Sequence, residues 1–461
     1  MADSLVTAPI ATLAGALASG KTTSRRLVEE ALARIADANG EGGRAFTKVH
    51  AQGALAAAEG SDRLRKQGVV PSELAGLPVS VKDLFDIAGE VTTAGSKVLR
   101  DRSPAAADAL AVARLRLAGA VVIGRSNMTE FAFSGIGINP HYGTPANPYD
   151  RVSRRIPGGS SSGAAVSVSD GMAAFALGTD TGGSVRIPAA LCGIAGFKPT
   201  AARVPREGAF PLSRTLDSVG PLAPSVACCA AIFQVLAGEA PRRLEAAPLK
   251  GLRLVVPKNH MLDDLDIEVS EGFQSAVQRL SRRGAKIVEI TVSEFDEAAK
   301  ASVGGGITPP EAYAVHRRWI ERQQDIDPRV LERILRGGSV SAPDYIDLLA
   351  MRSNLMKRFT RANYDVDAMI MPTVPRIAPR IEGLERSPES FRLANGNMLR
   401  NTNLINFLDG CALSLPIHPP RSAPVGLMVV GFAGDDEHVL STGLAIEAAL
   451  AYQGPVLVDI R

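Results

Sequence analysis

The feature that most constrains this chain is a pair of glycine- and hydroxyl-rich clusters flanking one short, alanine-rich segment. The first spans residues 157–163 (Pro-Gly-Gly-Ser-Ser-Ser-Gly) and the second spans 178–186 (Gly-Thr-Asp-Thr-Gly-Gly-Ser-Val-Arg). Glycine is favoured where the backbone needs a positive φ or where a ligand must approach it closely. Because both clusters also carry hydroxyl groups, we expect two loops of one reactive site rather than ordinary flexible turns.

The second cluster can supply a nucleophile together with the groups that stabilise the oxyanion formed by its attack. Gly182 and Gly183 allow consecutive backbone N–H groups to turn towards one point, an arrangement that stabilises a developing oxyanion. Ser184 follows directly, so a nucleophilic hydroxyl and its oxyanion hole can come from one loop. Ser160, in the first cluster, is a second candidate hydroxyl.

A serine hydroxyl needs a base that takes its proton, and the histidines of this chain are poorly placed for that role. None of the six lies in a recognisable motif: His50, His141, His260, His316, His418 and His438. A lysine can serve when burial and its neighbours lower its pKa towards neutrality. Lys82 follows small and apolar residues at 77–81, which predict a short strand that ends at the ammonium group.

Three motifs resemble those of the amidase signature family of amide hydrolases. They are Gly-Gly-Ser-Ser at 158–161, Gly-Thr-Asp-Thr-Gly-Gly-Ser-Val-Arg at 178–186 and Val-Ser-Val-Lys-Asp at 79–83. The similarity continues through residues 192–200 and 217–221, so it covers most of the chain.

The resemblance implies roles for individual residues. Ser184 would be the nucleophile, Ser160 the bridging serine and Lys82 the base, with a cis peptide between Gly159 and Ser160. In this mechanism a neutral Lys82 draws a proton from Ser160, which draws one from Ser184 as it attacks an amide carbonyl. The backbone N–H groups of the oxyanion hole are expected at Thr181, Gly182, Gly183 and Ser184. No metal or cofactor is required.

Four neighbouring side chains have two interpretations each. Asp180 is expected to be a buried hydrogen-bonding group that shapes the oxyanion loop rather than a base. Arg186 either holds this loop or binds a substrate carboxylate. Phe131 and Tyr142 either line the acyl pocket or belong to the ordinary core.

Helical and strand patterns alternate along the chain, as at the helix 51–66 and the strand 121–123. This alternation predicts a mainly parallel sheet with both faces covered, and the resemblance implies a single α/β/α domain, residues 1–461, around a large mixed sheet. Within it we expect an N-terminal helical segment (1–70), a catalytic core (71–230) and a variable helical cover (300–365).

Composition excludes several classes of protein. The chain has 51 basic and 48 acidic side chains, a net charge of +3, which is too balanced to indicate nucleic-acid or membrane-surface binding. No apolar run approaches the roughly 18 residues needed to cross a bilayer, and residues 1–4 lack the start of a signal peptide. The cysteines have no metal-ligand spacing and are expected to be buried thiols in a cytoplasmic protein: Cys192, Cys228, Cys229 and Cys411.

Residues 15–22 match the phosphate-binding pattern G-x-x-x-x-G-K-[ST]. That motif needs a buried strand before it, whereas the apolar residues between 10 and 17 recur at helical spacing. We therefore expect a helix that is capped by Gly20 and a second helix from Ser24, and a nucleotide-binding protein remains a remote alternative.

Residues 159–163 also fit G-x-S-x-G, the nucleophile elbow of α/β-hydrolases, with Ser161 as nucleophile. The elbow needs a strand immediately before it, and residues 152–157 carry two arginines and end in proline. His418 or His438 would have to complete such a triad, and no motif supports either.

Two functions of different class follow from the resemblance. One is an amidase that works alone and releases ammonia or an amine from a small amide. The other is the A subunit of a glutamyl-tRNA amidotransferase, which supplies ammonia from glutamine to a partner. The near-neutral charge and the segment 401–409 favour the first. The identity of the amide is left open, and so is the oligomeric state, for which a homodimer is one candidate.

Overall fold

An eleven-stranded sheet runs through the part of the chain that the computed structural model describes, residues 5–362 and 365–450. In chain order the strands are β1 (Phe46–Val49), β2 (Pro78–Lys82), β3 (Val121–Ser126), β4 (Phe175–Asp180), β5 (Ala195–Lys198), β6 (Ser218–Ala223), β7 (Arg253–Pro257), β8 (Lys286–Ile290), β9 (Ala368–Pro372), β10 (Ala412–Pro416) and β11 (Gly426–Val430). Their order across the sheet is β1-β3-β2-β4-β6-β5-β10-β11-β9-β7-β8. Every residue of β2, β3, β4 and β6 is buried. Since successive side chains point to opposite faces, both faces of the sheet are covered there.

The sheet is mixed, as the resemblance implies, and not mainly parallel. β2 is parallel to β3 and β4, and β7 is parallel to β8 and β9, whereas the other six pairings are antiparallel. The prediction from alternating helices and strands is wrong for the strands between these groups. β10 and β11 are joined by a short loop, and parallel neighbours need a longer crossover that such a loop cannot provide.

Sixteen α-helices accompany this sheet in the described residues, which confirms the α/β class. They are α1 (Ile10–Ala18), α2 (Ser24–Ala36), α3 (Gly42–Ala45), α4 (Ala51–Lys66), α5 (Leu110–Leu117), α6 (Ser162–Ser169), α7 (Arg186–Cys192), α8 (Val226–Ala237), α9 (Ile267–Arg282), α10 (Ser293–Ala301), α11 (Thr308–His316), α12 (Pro328–Arg336), α13 (Ala342–Ala362), α14 (Ile381–Arg386), α15 (Pro388–Phe407) and α16 (Asp436–Leu450). The helix predicted at 51–66 is α4. The region 300–365, predicted to be helical, contains α11, α12 and α13.

Residues 10–36 form two consecutive helices, α1 and α2, so the nucleotide-binding alternative for residues 15–22 is wrong. Helix α1 contains the first glycine of the pattern, and a 3₁₀ turn rather than a strand precedes it. Gly20 adopts a φ of 70° just after α1. The side chain of Thr23 then caps α2 by accepting a hydrogen bond from the N–H of Arg26 over 3.1 Å. The glycine pattern therefore ends one helix and leads into the next, as the helical spacing predicts.

The unit α6–β4 brings the two glycine clusters together. The first cluster leads into α6, and the second spans the end of β4 and the loop after it. A short connection, residues 170–174, returns the chain from the end of α6 to the start of β4, and the two elements pack together. The start of α6 and the end of β4 therefore share one edge of the sheet. β2 is parallel to β4, so the last residue of β2, Lys82, lies at the same edge of the sheet. Gly163 lets α6 pack closely against the end of α3, because a Cβ there would be 2.1 Å from the carbonyl oxygen of Ala45.

The expectations about membrane spans, a signal peptide and the cysteines can be compared with the structure. In the described ranges the structure has no helix that is both long and apolar enough to cross a membrane. Residues 1–4, on which the expectation about a signal peptide depends, lie outside those ranges. The four cysteines are buried free thiols, as predicted.

Candidate active site

Lys82 is the last residue of β2 and lies between β3 and β4. Its side chain is fully buried. Nζ donates hydrogen bonds to Ser160 Oγ over 2.8 Å and to Thr179 Oγ1 over 2.9 Å. A base candidate and a hydroxyl candidate that are far apart in sequence are thus in direct contact. Thr179, on β4, is a contact that the sequence interpretation does not include.

Burial lowers the pKa of Lys82 to about 7, because the ammonium form loses its hydration in the interior. The charges of Asp180 and Asp217 act in the opposite direction without cancelling this effect. A substantial fraction of Lys82 is therefore a neutral amine at neutral pH, which is the form that can accept a proton.

Asp83 fixes the chain directly after Lys82. Its carboxylate accepts a hydrogen bond from Arg125 Nε over 2.6 Å and another from the N–H of Gly95 over 2.9 Å. Both charged side chains are almost completely buried. This ion pair links the loop after β2 to β3, and so holds the backbone from which Lys82 extends.

The peptide bond between Gly159 and Ser160 is cis. Only glycine fits at position 159, because a Cβ there would lie 2.6 Å from the nitrogen of Gly137 and 2.8 Å from Thr129 Oγ1. On the other side of the bond, the carbonyl of Ser160 accepts a hydrogen bond from the N–H of Thr129 over 3.0 Å. The main chain around Ser160 is therefore held from both sides, with its hydroxyl directed at Lys82.

Ser184 lines a cavity of about 380 Å³, and its exposed fraction is 3%. The two serine clusters meet here, because the carbonyl of Ser184 accepts a hydrogen bond from the N–H of Ser161 over 3.3 Å. The hydrogen bonds of the described residues do not include one between Ser160 Oγ and Ser184 Oγ. Catalytic hydrogen bonds often form fully only once substrate is bound.

Asp180 organises the loop that carries Ser184. Its carboxylate accepts hydrogen bonds from the N–H groups of Gly183 (2.8 Å) and Val185 (3.1 Å). It also accepts one from Asn406 Nδ2 over 2.9 Å. The neighbouring Arg186 holds its pKa far below the usual range despite complete burial. Asp180 is therefore an anion inside this loop that accepts several hydrogen bonds.

Arg186 holds the loop and is not part of the cavity wall. Its guanidinium is fully buried and donates to Asp180 through Nε (3.0 Å) and Nη2 (2.9 Å). Nη2 also donates to Asn406 Oδ1 over 2.5 Å. With these acceptors on the loop and on α15, Arg186 does not reach a substrate, and the alternative that it binds a substrate carboxylate is corrected.

The hydrogen bond to Asp180 also changes the expected oxyanion hole. The sequence predicts that Gly183 donates its N–H to the oxyanion, yet this N–H points to Asp180 Oδ1. Among the described hydrogen bonds, the N–H groups of Thr181, Gly182 and Ser184 have no acceptor. The loop is also held through a carbonyl group: Thr402 Oγ1, on α15, donates a hydrogen bond to the carbonyl oxygen of Gly182 over 2.6 Å.

Asp217 is a further acid, partly buried, that the sequence interpretation leaves without a role. Thr181 Oγ1 donates to its carboxylate over 2.5 Å, and the N–H groups of Leu212 and Ser213 donate over 3.0 and 3.1 Å. Burial nevertheless raises the pKa of Asp217 to about 6. This carboxylate joins the oxyanion loop to the chain before β6 and influences the charge of Lys82.

Phe131 and Tyr142 lie outside the lining of this cavity. Phe131 is buried, with its ring centroid 4.2 Å from that of His316, and Tyr142 packs under the guanidinium of Arg100 at 5.7 Å. Of the two interpretations of these residues, their positions favour the one in which they are packing residues rather than part of this cavity wall. Phe133 is the aromatic residue of this segment that faces the cavity.

Ser161 does not form a nucleophile elbow. It is fully buried at the start of α6, where its Oγ approaches the carbonyl oxygen of Thr179 at 3.4 Å. The segment before it contains a 3₁₀ turn, Arg151–Ser153, in place of the strand that the elbow requires. His438 lies elsewhere, 3.9 Å from Asp367.

Comparisons with known proteins identify the family of this chain. A family model described as Amidase matches residues 26–440. The chain is 38% identical to a 2-amino-5-chloromuconic acid deaminase of Comamonas testosteroni, over 88% of each protein. It is 34% identical to the A subunit of the glutamyl-tRNA(Gln) amidotransferase of Chloroflexus aggregans, over 94% of each. A crystal structure of an amidase has a TM-score of 0.86 at 34% identity, over 96% of this chain and 99% of that one. The chain therefore belongs to the amidase family of C–N hydrolases.

Proposed function

We propose that this enzyme is an amidase that works alone, in which Ser184 forms a covalent acyl-enzyme with a small amide and releases ammonia or an amine. The observation that carries the proposal is the 2.8 Å hydrogen bond between Lys82 Nζ and Ser160 Oγ at a fully buried lysine. A buried amine with a pKa near 7 can take a proton from a hydroxyl, whereas a solvated lysine is almost always protonated at this pH.

The reaction begins with a proton relay. Neutral Lys82 accepts the proton of Ser160, and Ser160 accepts the proton of Ser184 as Ser184 Oγ forms a bond to the amide carbon. The carbonyl π electrons move onto oxygen, and the tetrahedral intermediate then expels the nitrogen, which receives a proton back through Ser160. Water attacks the resulting ester by the same relay, releasing a carboxylic acid and restoring the Ser184 hydroxyl. The sequence of steps uses no redox partner.

The oxyanion of the tetrahedral intermediate would be stabilised by the backbone N–H groups of Thr181, Gly182 and Ser184. Each such donor contributes about 3 kcal/mol to transition-state stabilisation in serine hydrolases. Asp180 supports this role indirectly. It accepts hydrogen bonds from the N–H groups of Gly183 and Val185, and so fixes the turn that orients the three oxyanion-hole N–H groups. Gly183 allows the backbone to turn at this point, with a φ of 133° that residues with a side chain rarely adopt.

Replacement and labelling of Ser184 test the proposal. Ser184→Ala is expected to abolish ammonia release while leaving the thermal unfolding midpoint unchanged, and a serine-directed phosphonate is expected to attach at Ser184. Ser161→Ala is the matched control, because Ser161 lies in the adjoining cluster and is buried. Wild-type rates in Ser184→Ala, or attachment of the phosphonate at Ser161, would contradict the proposal.

The second candidate is the ammonia-supplying component of a glutamyl-tRNA amidotransferase, and the 34% identity to such a protein over 94% of both chains supports it. The near-balanced charge favours the free amidase, because a protein that contacts tRNA directly usually carries a basic surface. The purified chain is expected to release ammonia steadily from simple amides, with glutamine no better than the others. A strict preference for glutamine, and activity only with partner proteins, would favour the amidotransferase.

We further propose that the enzyme acts in the cytoplasm on a small amide and without a nucleic-acid or membrane partner. Four buried thiols, none of them in a disulfide in the described residues, support a reducing compartment. The homodimer expected as one candidate state is part of this proposal, and sedimentation velocity of the purified chain measures it directly.

A further inference from the structure

The cavity that contains Ser184 is lined by an excess of positive charge. One lining residue is a carboxylate, Glu332. Five are arginines: Arg329, Arg333, Arg336, Arg392 and Arg400. They come from two helices, α12 and α15, which lie far from the glycine clusters in sequence.

Three of these arginines already have an acidic partner. Arg329 donates to both oxygens of Asp327 at 2.9 Å. Arg336 pairs with Glu332 at 2.5 Å, and Arg392 lies 3.7 Å from the same carboxylate. Their charges are at least partly compensated within the protein.

Arg333 and Arg400 are different. Within the described residues neither has a carboxylate within the 4.0 Å of an ion pair, and each has a buried guanidinium nitrogen without a hydrogen-bond partner, Nε of Arg333 and Nη2 of Arg400. Arg400 has one acceptor, the side-chain oxygen of Asn401 at 3.2 Å from its Nε. A guanidinium nitrogen that is buried without an acceptor is costly, so two such nitrogens on arginines that line one cavity favour an anionic ligand there.

Both arginines line the cavity that contains Ser184. The guanidinium of Arg333 lies 4.5 Å from the ring centroid of Phe133, which lines the same cavity. Arg400 belongs to the turn of α15 that packs on the oxyanion loop, since a Cβ at Gly182 would lie 3.1 Å from Asn403 Oδ1 and 3.3 Å from Leu399 Cδ2. An anion held by these arginines would lie in the same cavity as Ser184.

We propose that the substrate is an amide that also carries a carboxylate, and that Arg333 and Arg400 bind this carboxylate. The inference rests on the proposed amidase function and adds the chemical class of the substrate. A guanidinium matches the planar geometry of a carboxylate and forms charge-assisted hydrogen bonds with it, which are about twice as strong as neutral ones. The cavity volume of about 380 Å³ suits a small molecule.

A charge series at constant chain length tests the proposal. The probes are succinamate (anionic), butanamide (neutral) and 4-aminobutanamide (cationic), together with the malonamate and glutaramate series to vary the length. For at least one chain length, kcat/KM for the anion is expected to exceed that for the neutral amide at least 30-fold, with the cation slowest. Equal kcat/KM values for anionic and neutral amides at every length would overturn the proposal.

Replacing each arginine by a residue of similar size assigns the effect. Arg333→Met and Arg400→Met are each expected to lower the anion-to-neutral ratio of kcat/KM at least 10-fold, mainly through KM, and Arg333→Lys is expected to recover part of it. Arg386→Met is the control, because Arg386 lies on α14 with its side chain 77% exposed and outside the cavity lining. An unchanged ratio in both cavity variants would contradict the assignment.

Binding without turnover separates this inference from the proposed function. Succinamate is titrated calorimetrically into Ser184→Ala and into Ser184→Ala with Arg333→Met. Binding that is lost with Arg333→Met supports the carboxylate site even if no amide is ever hydrolysed. Conversely, rapid hydrolysis of neutral amides by the wild type, with no anion preference and no succinamate binding, would retain the amidase function and reject the carboxylate site.

Discussion

Asp180 and Arg186 form a completely buried ion pair, with two hydrogen bonds of 3.0 and 2.9 Å between the guanidinium and the carboxylate. Asp180 ends β4 and Arg186 begins α7, so the pair closes the loop that carries Ser184. The geometry of that loop depends on an interaction which never touches the substrate.

Breaking this pair on one side should destabilise the fold as well as the site. Arg186→Met leaves the Asp180 carboxylate buried without its main counter-charge, which typically costs about 3–5 kcal/mol of unfolding free energy. Urea unfolding measures this change. Arg386→Met, which removes an exposed ion pair with Glu382, is expected to leave the unfolding midpoint nearly unchanged. A similar stability for both variants would contradict the structural role of Arg186.

The activity should follow the protonation of Lys82. The base is the neutral amine, and the pKa of Lys82 is lowered to about 7. As the pH rises through this value, more of the amine is neutral, so kcat/KM is expected to increase and then level off above about pH 8. Below the pKa the rate should fall about tenfold per pH unit. A rate that does not change between pH 5 and 9 would exclude Lys82 as the base.

A variant at Asp217 can show whether this residue acts through its charge on Lys82 or only through its hydrogen bond to Thr181. Its negative charge favours the protonated form of Lys82 and so raises the pKa of Lys82. Asp217→Asn removes that charge, and the rising limb of the pH–rate profile is expected to move to lower pH. If Asp217 were only a hydrogen-bond acceptor for Thr181, the variant would change the maximal rate and leave the midpoint of the profile where it was.

Lys82 and Ser160 should behave as one unit. Lys82→Ala and Ser160→Ala are each expected to lower kcat severely, and the double variant should be about as slow as the slower single one, because residues of one relay do not lose activity additively. Circular dichroism of all three variants controls for folding. Losses that multiply in the double variant would mean that the two residues act independently.

Replacement by alanine should change the free energy of unfolding in opposite directions at two glycines. At Gly163 a Cβ would lie 2.1 Å from the carbonyl oxygen of Ala45, so Gly163→Ala must displace α6 and is expected to cost about 1–3 kcal/mol. At Gly60, inside α4, the nearest atom is 3.9 Å away, so Gly60→Ala should stabilise the helix by about 0.5–1 kcal/mol. Thermal unfolding of both variants tests the difference. A loss of stability in Gly60→Ala would argue against the packing of α4.

The sequence predicts the parts of this enzyme that depend on local chemistry. Glycine clusters with hydroxyls predict the two loops, and a strand ending in lysine predicts Lys82 at the sheet edge, because both signals lie within a few adjacent residues. The contact between Lys82 and Ser160 follows from the family resemblance rather than from periodicity. Thr179 escapes prediction because its hydroxyl matters only once β4 lies beside β2.

What the sequence cannot predict depends on elements that meet only in the folded chain. Arg333 lies on α12 and Arg400 on α15, yet nothing local in the sequence indicates that these two helices line the same cavity. Phe131 and Phe133 differ by two residues and carry the same side chain, and only the turn between them decides which one lines the cavity. The direction of β10 and β11 is likewise set by the length of their connection.

The separation of reacting groups and cavity walls along the chain has a practical consequence. Lys82, Ser160 and Ser184 come from the first half of the sequence, and the arginines come from α12 and α15 in the second half. If the proposed roles hold, a chimera that grafts α12 from a relative onto this scaffold exchanges part of the substrate-binding wall and keeps Lys82, Ser160 and Ser184. Recombination of these two halves would then change specificity without rebuilding the chemistry.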